Sequence, residues 1–502
     1  MCIGVWVKMN SFYIHNFAGG VNQSRNASFI RLNESPNSYN VDTEDGLLST
    51  CKGYTKYSQH KVNGSINAIG GNYVGNSGVI MLASNNNIYK LTSSGMTSIL
   101  SNYNTSDFDF INFEVKGEKA FIFANGVDNL KAYDGTTVRT LLNRRPVYDE
   151  ETGELKHYVD ANGDIHQSES TIRTYAPKGK FIEMYKDRVF IAGDAENPNR
   201  VYYSTAGVNG ADVEDWTYPI EEGEANMHGG YEEFPTWDGG VIIGLRTLFG
   251  ELTIFKNKQI IQLYGTYPGN YEQRTLFTSN GTISDKSIVF GANRCFFLDT
   301  DGIYAYNGVN VDCVSEKIKD VIRGLNKSAL SKSCGIFYNG EYYLAVPNGN
   351  STTNNLLIIY NPTTNIYKIR KNININGFIE FENELLFVND TGYVYKFSDV
   401  YTYDGTPINS YWESCIYDGR AKNIRKYTEY LYFSGWGNGD VKFTITTDKK
   451  SVERVFTLTS EEKEYKRRIN NSGRRLQIKI ENINGSEIHI KSPTLTLELD
   501  ED

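Results

Sequence analysis

From about residue 60 to residue 399 the chain alternates short apolar runs with polar, glycine-containing turns, and one unit of that pattern recurs. Its fullest form is Asp301-Gly302-Ile303-Tyr304-Ala305-Tyr306-Asn307-Gly308. Related stretches are Ile88-Tyr89-Lys90-Leu91, Lys131-Ala132-Tyr133-Asp134-Gly135, Val201-Tyr202-Tyr203-Ser204, Ile261-Gln262-Leu263-Tyr264-Gly265, Ile359-Tyr360-Asn361-Pro362 and Tyr393-Val394-Tyr395-Lys396, seven in all. Most follow an apolar strand and a turn, as Phe296-Phe297-Leu298 precedes Ile303, so each is the second arm of a hairpin, with Gly302 relieving the turn. A spacing of roughly 40 to 45 residues made of short strands predicts the four-stranded blades of a β-propeller. About seven blades fit the repeats, and six to eight are compatible with the spacing.

Three segments break the rhythm. Residues 1–58 read as an N-terminal arm of alternating strand and turn signals, in which Tyr54 to Tyr57 is suited to complete the last blade and close the ring. Residues 144–176 are an insertion into the 59–403 propeller region, charged and hairpin-like, with turns at 149–154 and 160–164 around Leu155-Lys156-His157-Tyr158-Val159. From residue 404 to 502 longer strands alternate strictly: Val441, Phe443 and Ile445, then Leu476, Ile478 and Ile480, then Leu495, Leu497 and Leu499. That rhythm predicts a C-terminal antiparallel β-sandwich. The fold class is therefore all-β. One helix is expected over 316–324, with Ser315 as N-cap and Gly324 at the C-terminus.

Composition agrees with strands: 502 residues hold 36 Tyr, 25 Phe and 46 Gly but 11 Pro. The formal charge of −9 argues against general affinity for a phosphate backbone. Cysteines at 2, 51, 295, 313, 334 and 415 lack CxxC spacing and are expected to be reduced, mostly buried small hydrophobes. No apolar run approaches the ~20 residues of a membrane span, and Met1 to Lys8 lacks the basic start and long apolar stretch of a signal peptide. Synthesis in the cytoplasm of the producing cell is expected, with Met1 or Met9 as the start.

Chemistry leaves few marks. The histidines at 15, 60, 157, 166, 228 and 489 show no paired metal-ligand spacing, and no phosphate loop or nucleophile elbow is present. Gly70-Gly71-Asn72-Tyr73-Val74-Gly75 reads as hairpin, and Asp160-Ala161-Asn162-Gly163-Asp164 as a type I′ turn, since its glycine is misplaced for a calcium loop. The propeller sialidases carry Ser-x-Asp-x-Gly-x-x-Trp boxes, and none occurs here. No catalytic, metal-binding or cofactor-binding residue is assigned, and neither a cofactor nor an enzymatic activity is expected. Lys463, Lys466, Arg467, Arg468, Arg474, Arg475 and Lys479 form a cationic cluster with Tyr465: on adjacent strands they would make a basic face able to contact DNA or an acidic partner, and the favoured expectation is an ordinary solvated face balanced by Glu461, Glu462, Glu464 and Glu481.

Asn16-Phe17-Ala18-Gly19-Gly20-Val21-Asn22, Glu34-Ser35-Pro36-Asn37-Ser38-Tyr39-Asn40-Val41 and Leu47 to Tyr54 resemble the start of bacteriophage tail proteins of the tail-nozzle or packaged-DNA stabilisation type. Arg188 to Gly193, Asn199 to Ser204, Asp215-Trp216 and Phe296 to Tyr304 are similar to their blades, and Gly473 to Ile480 with Leu495 to Glu498 to their terminal β-domain. The resemblance spans most of the chain and implies a structural protein of the virion tail. It would form a homo-oligomeric ring, typically of six copies, below the portal and adaptor, touching other tail proteins and tail fibres. Genomic DNA would pass through it without sequence-specific binding. The alternative function is a carbohydrate-binding propeller, a lectin or receptor-binding adhesin in which Trp216 and Trp237 stack on sugar rings; a propeller glycosidase ranks third.

Overall fold

The computed structural model describes residues 10–74, 77–115, 118–149, 151–207, 210–216, 228–235, 240–277, 279–419 and 422–500. The structure is a β-propeller joined to a β-sandwich. Among the described residues seven antiparallel blades follow one another, starting with strands Ala68–Val74, Asp109–Val115, Phe181–Tyr185, Ile242–Leu248, Val289–Gly291, Cys334–Tyr338 and Gly377–Phe381. Within blades 1 to 6 the strands pair in chain order. The opening strands lie innermost, and that of blade 7 touches that of blade 1, which closes the ring. Blade 7 takes its fourth strand, Tyr54–Lys56, from the other end of the chain: it pairs antiparallel with Val394–Phe397, Tyr54 opposite Phe397. All seven recurring sequence units are the third strands of their blades.

The core is spread as seven wedges between neighbouring blades, so a chain this long folds without one oversized core. Strand Glu118–Ala124 shows how the sequence does this. Phe121 and Phe123 enter the wedge with blade 1, while Ala120, Ile122 and Ala124 enter the wedge with blade 3. Period-2 alternation with apolar residues on both faces gives a continuous apolar run. Each large side chain buried this way contributes about 1.5–3 kcal/mol.

The sandwich is built from both ends of the chain. One sheet runs Val41–Asp42, Leu48–Thr50, Ile488–Asp500, Arg425–Gly437, Lys463–Gly473, with Asn10–Tyr13 added on Ile488–Asp500; the other runs Ser38–Tyr39, Tyr411–Glu413, Leu476–Asn482, Asp440–Thr447, Ser451–Thr457. Val441, Phe443, Ile445, Leu476, Ile478, Ile480, Leu495 and Leu497 meet in one core with Phe12 and Phe17 of the arm. The arm thus completes the sandwich over residues 10–17 and 38–50 before closing the propeller at 54–56.

Local details depart from the sequence reading. Residues Ser315–Ile318 form a 3-10 turn and Lys319–Arg323 a single helical turn ending at Gly324. Ser315 does not cap it: its Oγ accepts from the Ile303 N–H at 3.0 Å, tying the helix entry to the third strand of blade 5. Gly302 is needed for closeness rather than for a turn angle, since a Cβ there would stand 2.8 Å from Ser315 Oγ. The turn at 160–164 is held by Asp160 Oδ1, which accepts from the N–H groups of Asn162 at 2.9 Å and Asp164 at 3.0 Å. It is an Asx-type turn, not the expected type I′ pair.

Candidate functional site

Three places gather chemistry. The first is the insertion, a three-stranded sheet of Arg144–Tyr148, Leu155–Asp160 and Ile165–His166. Arg144, 3 % exposed, anchors it. Its guanidinium pairs with Glu169 at 2.9 Å, Asp212 at 2.5 Å and Glu214 at 3.1 Å, the last two on or beside a hairpin of blade 3. Glu214 is fully buried and also receives Arg139 at 2.8 Å, so the base of the insertion is a compensated ion cluster. Away from this base Tyr148, Leu155 and Ile165 are exposed, with Tyr148 directly opposite Leu155. Asp149, Glu151 and Glu154 crowd the turn beside them.

The second place is strand Lys463–Gly473, the edge of its sheet. Two of the four acids expected to neutralise it are engaged elsewhere. Glu462 pairs with Lys491 at 2.7 Å and Glu481 with Lys442 at 2.9 Å. Among the described residues Lys463, Lys466, Arg467 and Arg475 have no carboxylate within 4.0 Å, while Arg468 reaches Glu429 at 3.6 Å. Lys466 instead lies over the rings of Tyr430 and Tyr432 at 4.2 and 5.1 Å. The strand is therefore a solvent-exposed edge with a surplus of cations, which corrects the expectation that Glu462 and Glu481 balance it.

These two places sit on opposite flanks. The insertion leaves the ring between blades 2 and 3, whereas the sandwich is tied to the outer strand of blade 6, where the Asn40 N–H donates to Ile369 O at 2.8 Å and the Lys371 N–H to Asn40 Oδ1 at 2.7 Å. In a ring of seven blades that separation is about half a turn.

The third place is the mouth of the central channel, a cavity of about 450 Å³ to which residues preceding the innermost strands contribute. Asp107 of blade 2 pairs with Lys286 of blade 5 and, at 3.3 Å, with Lys180 of blade 3; Lys180 also reaches Asp285 at 3.7 Å, and Arg246 of blade 4 reaches Asp109 at 3.6 Å. Burial would raise the Asp107 carboxyl, but Lys286 and Lys180 outweigh it and hold it below the ordinary aspartate value. Burial and the Asp107 charge push Asp285 the other way. The charges bind one another across the axis and so staple blades together. Sequence reasoning missed this cluster because its members are far apart in the chain; the available signal was a charged residue just ahead of several opening strands.

Trp216 is 1 % exposed and its Nε1–H donates to Val213 O at 2.8 Å, so burial in the wedge between blades 2 and 3 denies it to a sugar ring. Trp237 lies outside the described residues, as do Cys2 and the segment from Met1 to Met9. Burial pushes the thiols of Cys51 and Cys415 up to about 11 and those of Cys295 and Cys334 up to about 12. Among the described residues no three His, Cys, Asp or Glu side chains are grouped to hold a metal, and no helix is long and apolar enough to cross a membrane.

No family model and no curated protein matches this chain. Solved structures do. The computationally designed Ika8 protein is 9 % identical with a TM-score of 0.37, over 69 % of this chain and 99 % of its own. The Pan2 WD40 domain of Neurospora crassa is 7 % identical with a TM-score of 0.37, over 67 % and 90 %. An extracellular domain from B. thetaiotaomicron is 10 % identical with a TM-score of 0.42, over 96 % and 66 %.

Proposed function

We propose that this chain is a structural subunit of a bacteriophage tail, assembled with further copies of itself into a nozzle ring through which packaged DNA is retained and released. The observation that supports this most is the joining of propeller and sandwich by the N-terminal arm. Residues 10–17 and 38–50 supply strands and core side chains to the sandwich, Val21 is buried in the wedge between blades 5 and 6, residues 54–56 are a strand of blade 7, and Asp42 of the arm forms a buried pair with Arg370 of blade 6. Two bodies tied in this way keep a fixed geometry, which a ring subunit needs to meet its neighbours in register. The net charge of −9 suits a wall along which DNA slides without sticking, and portal-adaptor proteins, other tail proteins and fibres are the remaining partners. Mass spectrometry of particles purified from the producing culture tests the reading: the chain should appear among the virion proteins. Its absence from intact particles would sink the proposal.

One observation favours a carbohydrate-binding reading second. At the channel mouth Asn354 is 2 % exposed and donates from Nδ2 to Lys332 O and Ile375 O, while its buried Oδ1 has no partner. Amides and carboxylates around such a cavity suit hydroxyl groups. A glycan array with no hit on the purified chain removes this reading.

A further inference from the structure

The cationic edge strand and the acidic insertion are matched in chemistry and separated in space. Residues 149–164 hold six acids against one lysine, and residues 463–475 hold six bases against one glutamate. Half a turn of the ring lies between them, so one copy cannot bring its own two surfaces together. Each also has the features of an interface rather than of a solvated face. On the insertion, Tyr148 is 58 % and Leu155 45 % exposed, a facing apolar pair bordered by charge, and Ile165, 65 % exposed, lies on the other face of the sheet. On the sandwich, Lys463–Gly473 and Ser451–Thr457 are edge strands of the two sheets, and Val455 on the second of them is 45 % exposed.

We propose that the insertion sheet of one copy docks on the cationic edge of the sandwich of a second copy. The occupant is another copy because the complementary charge is present in this chain, on Glu151, Glu154 and Asp164, which have no basic group within 4.0 Å among the described residues, whereas Asp149 and Asp160 are held by Lys156 and His166; a nucleic acid could satisfy only the basic half. The contact joins two different surfaces, so it is heterologous: it repeats head to tail and either closes into a ring or extends as a filament. This rests on reading the chain as a ring subunit and gives that ring its contact.

Charge reversal tests it on the full chain. Glu151→Lys with Glu154→Lys alters the acidic end, and Lys463→Glu with Arg467→Glu the basic end; all four positions are exposed, and circular dichroism checks that folding is kept. Sedimentation velocity of the unaltered chain should show self-association that weakens as salt rises from about 0.05 to about 0.5 M. Each reversed variant should associate at least about tenfold more weakly. Mixed one to one, the two variants should recover association beyond a dimer, because the reversed insertion of the first fits the reversed edge of the second and the unaltered insertion of the second fits the unaltered edge of the first, so the two alternate head to tail. The four-fold variant should recover association.

Self-association that neither reversal weakens overturns this contact and leaves the ring reading standing. Reversals that abolish association in a chain absent from particles support the contact and overturn the virion reading. A chain that stays monomeric at about 100 μM and low salt overturns the contact, as does binding of a DNA duplex to the basic edge with no association between copies.

Discussion

Replacing Arg370 with leucine should loosen the joint between arm and propeller far more than its single ion pair suggests. Arg370 is 8 % exposed and Asp42 6 %. The guanidinium reaches Asp42 Oδ1 at 3.4 Å and donates to Lys52 O at 2.9 Å, and Asp42 Oδ2 accepts from the Lys52 N–H at 2.9 Å. Arg370→Leu would leave the Asp42 carboxylate buried without a counter-charge and Lys52 O without a donor. Removing one partner of such a pair costs about 3–5 kcal/mol. Against a total of about 5–15 kcal/mol for a domain, that is a large share. Asp42→Asn with Arg370→Leu leaves no buried charge, so the double variant should lose less than the sum of the single ones by about 2 kcal/mol or more. Hydrogen exchange of peptides covering 38–57 and 366–372 reads the joint directly. At 3 kcal/mol the single Leu variant should exchange about a hundredfold faster there. An acceleration below about fivefold, or a double variant equal to the sum, would refute the reasoning.

Three other outcomes follow from the same structure. Gly53→Ala places a Cβ onto the Thr402 carbonyl and should cost about 1–3 kcal/mol, seen as a lower melting temperature; an unchanged one contradicts the packing. Trp216→Ala removes a fully buried indole and should cost about 3–5 kcal/mol, while any glycan binding found for the intact chain should survive in the folded variant; selective loss of binding would restore Trp216 as a ligand residue. Burial would raise the Asp390 carboxyl, but hydrogen bonds from Ser65, Asn376 and Asn374 and the nearby Lys332 outweigh it and hold the carboxyl below its ordinary value. A depressed folded value means stability present above the unfolded value near 3.9 and lost as pH falls through the folded one. Asp390→Asn should therefore be less stable than the unaltered chain near neutral pH and approach it in acid, and a gap that stays constant down to about pH 2 would contradict this.

The propeller was legible because its signal is local. A third strand such as Ile303–Tyr306 has both faces in wedges, so it needs alternating apolar and aromatic residues and a turn on either side, and the sequence repeats that need in every blade. The role of residues 10–50 was not legible. Phe12 lies opposite Leu495 and Ser38 opposite Trp412, and no local preference names a partner hundreds of residues away. The 315–324 segment failed at finer scale: Ser315 has an N-cap's chemistry, but the Ile303 N–H of a neighbouring strand claims its Oγ.

The cationic edge was misread for a related reason. Charge balance along a sequence assumes that near neighbours pair, and in a strand they do not. Glu464 and Tyr465 point to opposite faces, and a side chain meets the one across the ladder. Glu481 lies opposite Lys442 on the next strand, and the ion pair at 2.9 Å follows that register. Glu462 stands outside the strand and reaches Lys491 of another. Each acid taken by a lysine from elsewhere leaves a cation of Lys463–Gly473 without compensation. The surplus is thus set by sheet register, and it was hidden until the partners of Glu462 and Glu481 were known.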